Sequence, residues 1–160
     1  MKTRIAGALF LMLVAAAALQ AHVVVTPRES APGAEQTYNV SVPNERTVSS
    51  TSLELEIPAE LHVMQVTSGE GFTFDTRKEG DRIVSITWKR EIKPKERAVF
   101  TFTAHNPQSG ALPWKAHQTF ADGSMAHWVG ERGSKEPASV TTIVAKGATP
   151  APAAEHHDHK

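Results

Sequence analysis

Apolar and polar residues alternate through the middle of the chain. Tyr38, Val40 and Val42 alternate with Asn39 and Ser41. Leu53, Leu55 and Ile57 alternate with Glu54 and Glu56. Val84, Ile86 and Trp88 alternate with Ser85 and Thr87, and Ala98, Phe100, Phe102 and Ala104 with Val99, Thr101 and Thr103. A period of two sends one row of side chains to a core and the other to water, so each run predicts a β-strand. Shorter runs predict strands at 22–26, 61–67, 72–76, 114–120 and 138–145. Turn signals divide them: Pro32-Gly33, Pro43-Asn44, Ser68-Gly69, Glu79-Gly80-Asp81, Lys93-Pro94, Asn106-Pro107 and Asp122-Gly123. No segment keeps a helical period. Many short strands at regular spacing predict an all-β fold, an antiparallel β-sandwich of the immunoglobulin/fibronectin-like kind. Trp88, on a middle strand, is expected between the sheets.

The two ends break this pattern. Lys2 and Arg4 precede an apolar run from Ile5 to Val14 and then a row of alanines, the form of a secretory signal. The run is short for a membrane span and no second one follows. Cleavage is expected after Ala21, with Ala18 as the rival position. From Gly147 onward the chain is Ala/Pro-rich and closes on Glu155-His156-His157-Asp158-His159-Lys160. The expected organisation is a signal peptide at 1–21, one domain at 22–146, and a mobile linker with a histidine-rich tail at 147–160.

Composition narrows the chemistry. With 17 basic and 17 acidic side chains the formal charge is zero. Loss of 1–21 removes Lys2 and Arg4, leaving 15 against 17, a charge of −2. No basic run interleaved with aromatics occurs, so nucleic acid is not an expected partner. There is no cysteine. Disulfides, thiolate metal sites and a lipid anchor on an N-terminal cysteine are therefore excluded, and the fold must rest on its apolar core.

Cleavage after Ala21 makes His22 the first residue. Its α-amine and imidazole Nδ1 then close a six-membered chelate ring on a metal, which no internal histidine can do. Nitrogen and oxygen donors in a tetragonal plane suit Cu(II), which also heads the divalent affinity order. The bland alternative is a histidine that follows the cleavage point by chance. Glu29, Glu35 and Glu45 are the nearest carboxylates, and each also fits a solvated loop. A strand from 22 pairing beside 36–43 would bring Glu45 near the N-terminus. His62, His105, His117 and His127 show no zinc-motif spacing. His127 and Trp128 should face opposite sides of a strand. His156, His157 and His159 in the tail are a weak capture site for copper or zinc.

The chain resembles the YcnI-like exported copper-binding domains over nearly all of 22–143. The resemblance lies in Ala21-His22-Val23-Val24-Val25 with Pro27, Glu29-Ser30, and Tyr38-Asn39-Val40-Ser41-Val42-Pro43-Asn44-Glu45. It continues through Glu56-Ile57-Pro58, Ile86-Thr87-Trp88 and Phe100-Thr101-Phe102. Gly110, Trp114-Lys115-Ala116, Gln118-Thr119-Phe120-Ala121-Asp122-Gly123 and Trp128 complete it. It implies a β-sandwich that holds one Cu(II) in a brace made by a single histidine. His22 would supply amine and imidazole, Glu45 a carboxylate, and Trp128 would lie beside the copper. Relatives often carry a C-terminal membrane anchor. None is expected here, where the histidine-rich tail stands instead, and this departure from the family pattern makes the periplasm, with no membrane anchor after signal cleavage, the expected location.

Three functions compete. The leading one is a non-enzymatic Cu(II) carrier or chaperone, whose partners are copper donor or acceptor proteins of the periplasm. With only Met64 and Met125 in the mature chain, a Cu(I) site is disfavoured. A histidine-brace copper oxygenase would need a second histidine in the copper plane. A plain adhesion or assembly module would use none of these residues, and a sandwich fold does not exclude it.

Overall fold

The computed structural model describes residues 22–145, which form twelve β-strands and no helix. The first sheet contains β1 (Val24–Thr26), β3 (Glu35–Pro43), β8 (Arg97–His105) and β5 (His62–Val66), in the order β1-β3-β8-β5. The second contains β11 (Met125–Trp128), β10 (Ala116–Phe120), β4 (Ser50–Glu56), β7 (Arg82–Ile92) and β6 (Thr73–Glu79), in the order β11-β10-β4-β7-β6. A small third sheet joins β2 (Glu29–Ser30), β12 (Ser139–Ile143) and β9 (Gly110–Trp114) in the order β2-β12-β9. All pairings are antiparallel except β12 with β2.

The alternating residues place the core between the first two sheets. Tyr38, Val40 and Val42 of β3 and Phe100 and Phe102 of β8 are buried, as are Leu53 and Leu55 of β4 and Ile86 and Trp88 of β7. Trp88 stacks flat on Phe100 across the interior, with ring centres 5.1 Å apart and planes 7° apart. Its place between the sheets is the one expected. An antiparallel sandwich satisfies backbone groups within each sheet and hides one face of each strand.

One expectation needs correction. The run 114–120 is not one strand. β9 ends at Trp114 and pairs with β12, whereas β10 begins at Ala116 and pairs with β4 and β11. The chain changes sheets at Lys115, whose carbonyl accepts a hydrogen bond from the Glu56 N–H at 2.9 Å. Trp114 and Ala116 are both buried, so the in–out alternation runs through the bend unbroken and hides it from a periodicity argument. No helix among the described residues is long and apolar enough to cross a membrane.

Candidate metal site

His22 lies just before β1. β1 pairs with β3 in the register Val24↔Ser41, Val25↔Val40 and Thr26↔Asn39. Continuing that register carries His22 to the level of Pro43, where β3 ends. The expected pairing beside 36–43 is thus realised, and it brings His22 to the end of the molecule where Glu45 emerges. The strand is held on its other side by Ser139, whose hydroxyl accepts from the Val25 N–H at 3.0 Å.

Glu45 sits on a turn fixed by Asn44. The Asn44 side chain is fully buried and donates to the carbonyls of Val48 and Ile92, both at 2.8 Å. Its Oδ1 accepts from the Arg46 N–H at 3.0 Å. Its backbone bonds to the neighbouring turn through Glu96 O and the Lys95 N–H. The Glu45 carboxylate is exposed and meets Lys95 Nζ at 3.2 Å. Arg46 then ties this turn to the hairpin of β10 and β11: its guanidinium donates to Ser124 Oγ at 2.8 Å and covers the Phe120 ring at 4.1 Å.

That hairpin delivers Trp128. As expected of consecutive strand residues, His127 is exposed while Trp128 turns inward and is half-buried against the core. The Trp128 ring meets the half-buried His22 ring edge-on, with centres 5.3 Å apart and planes at 61°. Its Nε1 is buried and makes no hydrogen bond among the described residues. A groove of about 550 Å³ runs beside His22 and is lined in part by Arg28, Glu29, Arg132 and Ser139.

Glu29 lies in that groove, whereas Glu35 and the other histidines fall elsewhere. Glu35 starts β3 and pairs with His105 at the far end of the first sheet, eight residues and about 26 Å from Pro43. His62 pairs with His105 at that same end. His117 and His127 meet on the outer face of the second sheet, a contact that the sequence reading did not anticipate. Among the described residues no three side chains of the His, Asp or Glu type gather into a preformed metal cage. His156, His157 and His159 lie outside the described residues.

A family model described as a domain of unknown function (DUF1775) matches residues 22–153. The chain belongs to the DUF1775 family. The expected kinship with the YcnI-like domains is borne out by a relative of the same group: the copper-binding protein CutI of Bacillus subtilis (strain 168) is 35% identical over 127 residues. The match takes in 77% of this chain and 62% of CutI, so this DUF1775 chain spans less than two thirds of that curated relative. Among solved structures, an uncharacterized protein from Nocardia farcinica with an immunoglobulin-like fold aligns at a TM-score of 0.67 and 21% identity. It covers 78% of this chain and 99% of its own. A cohesin from Archaeoglobus fulgidus aligns at a TM-score of 0.51 and 16% identity, over 79% of this chain and 92% of its own. These likenesses bear out the immunoglobulin-like sandwich.

Proposed function

We propose that this DUF1775 domain is an exported Cu(II)-binding protein of the periplasm that carries copper between donor and acceptor proteins and is not an enzyme. Removal of residues 1–21 frees the His22 amine, which chelates the ion together with the His22 imidazole. Glu45 supplies an oxygen donor, and Trp128 covers the site. The observation that carries this reading is the His22–Trp128 ring contact at 5.3 Å, beside the turn that presents Glu45. The copper-binding character of CutI supports the choice of metal.

The donor set suits copper as cargo. Nitrogen and oxygen ligands without sulfur favour Cu(II) over Cu(I). The Glu45–Lys95 pair is exposed, and such pairs contribute at most about 1 kcal/mol, so the carboxylate exchanges its lysine for a metal at little cost. The Trp128 Nε1–H gains an acceptor if a carboxylate or a metal-bound water comes to lie beside it. An oxygenase would require a second histidine in the plane. His62 and His105 stand at the far end of the first sheet, and His127 projects from the opposite side of β11 to Trp128, which supports a carrier instead. The tail histidines His156, His157 and His159 add a looser site for the same ions.

The test is electron paramagnetic resonance of the processed protein titrated with Cu(II), after mass analysis of its N-terminus. A nitrogen-rich tetragonal signal is expected. The component that fills with the first equivalent should be lost in His22→Ala and in a form with one extra residue before His22. Glu45→Gln should change the signal, and Glu35→Gln, at the far end of the first sheet, should leave it alone. Removing 155–160 should lower copper stoichiometry without altering the signal. A first-equivalent signal that is unchanged in both His22 variants overturns the reading.

A further inference from the structure

We propose that His117 and His127 form a second metal site, on the outer face of the β10–β11 hairpin, for a borderline divalent transition ion, with Cu(II) bound ahead of Zn(II). His117 Nδ1 lies 2.8 Å from His127 Nδ1. Two nitrogens held about 2.0–2.1 Å from one ion and at right angles to each other stand about 2.9 Å apart. The observed separation is therefore that of two neighbouring ligands in a tetragonal plane. Among the described residues no other pair of histidine ring nitrogens lies within hydrogen-bond reach.

The local structure explains why the pair is held so close. Phe120 N–H donates to Ser124 O, and Gly123 N–H donates to Phe120 O, each at 2.9 Å. Gly123 takes a φ of +82°. This is a three-residue hairpin loop with its glycine in the left-handed position. It makes Phe120 and Ser124 a hydrogen-bonded pair. Alternation along the ladder then makes His117↔His127 a non-hydrogen-bonded pair, the kind in which side chains approach more closely.

One ring already has the tautomer that a metal requires. The Glu56 carboxylate lies 2.7 Å from His117 Nε2 and accepts a hydrogen bond from it when that nitrogen carries its proton. With Nε2–H turned to the carboxylate, the neutral form of His117 presents Nδ1 as a lone pair, and the proton of the Nδ1–Nδ1 contact then sits on His127. On metal binding His127 moves that proton to its solvent-facing Nε2, a small swing of the rings points both Nδ1 atoms at the ion, and water completes the coordination. A carboxylate on the remote nitrogen of a ligand histidine fixes the ring and raises its basicity. Glu54 stands directly across from His117 on β4 and adds negative charge to the same face. Copper heads the divalent affinity order for such donors. This site does not depend on His22, which approaches the other side of β11.

The test follows the imidazole resonances of the full mature chain by NMR during titration with Cu(II) and, separately, Zn(II). Copper should broaden, and zinc should shift, the His117 and His127 ring signals, in the wild type and in His22→Ala alike. His127→Ala, an exposed substitution that should leave the amide spectrum folded, should abolish the response at His117 while sparing the paramagnetic signal of the His22 site. Glu56→Gln should weaken the site about tenfold. Ring signals of His117 and His127 that stay unmoved in excess metal, or a His117 response that persists in His127→Ala, overturn the proposal. Loss of the response in His22→Ala but not in His127→Ala would assign it to the other site and also overturn it.

Discussion

Tyr38 illustrates how much one residue ties together. Its ring is fully buried, stacks on Phe102 at 5.4 Å and leans on Trp114 at 5.0 Å. Its hydroxyl donates to Asn106 Oδ1 at 2.7 Å, and Asn106 in turn donates to Ser30 Oγ and the Ala31 carbonyl. Burial pushes the Tyr38 phenol up to about 12, only partly opposed by the Ser30 hydroxyl. The free phenol titrates near 10, so the unfolded chain loses its proton first as pH rises. Between pH 10 and 12 the folded state holds more protons than the unfolded one, and stability must fall with pH. Two pH units correspond to about 3 kcal/mol. Urea midpoints measured across this range should drop less steeply in Tyr38→Phe than in the wild type. Equal slopes would remove Tyr38 as the cause. Near neutral pH the same variant should cost about 1 kcal/mol, because Asn106 Oδ1 loses its donor.

Among the elements, the turns matter more than the strands for the site. Asn44→Ala strips two carbonyls, the part-buried Val48 O and the buried Ile92 O, of their donor. It should destabilise the domain by about 2–3 kcal/mol in denaturant unfolding and weaken Cu(II) binding by loosening the Glu45 turn. If copper affinity is unchanged in the folded variant, Glu45 does not act from this turn. The strands themselves were legible because each has one wet and one dry face. Pro43-Asn44 was legible as a turn, but the role of Asn44 was not, since its partner Ile92 lies on the distant strand β7. Lys115 escaped notice because the alternation continues through the bend. The His117–His127 contact did leave a trace. A three-residue loop centred on Asp122 and closed between Phe120 and Ser124 sets residue 117 against 127. The sequence offered Asp122-Gly123 as a turn, but loop length decides the register and composition alone does not.

At the scale of the whole molecule, the sandwich acts as a frame that brings three distant stretches to one end. His22 enters on the edge strand of one sheet, Trp128 on the edge strand of the other, and Glu45 on the turn after β3. His22 drew attention in the sequence as the residue after the expected cleavage point. Its nearness to Trp128 was expected only through the family resemblance, because that contact depends on how two sheets stack, which no local pattern encodes. The three tryptophans divide along the same line. Trp88 and Trp114 are sealed in the core, and Trp128 alone stands at an edge, between the His22 ring and the strand that carries His127. The protein thereby carries its own optical reporter. Copper should quench indole emission mainly through Trp128, in two phases if both sites fill. His22→Ala should delete one phase, His127→Ala the other, and Trp128→Phe should leave the remaining emission nearly blind to the ion.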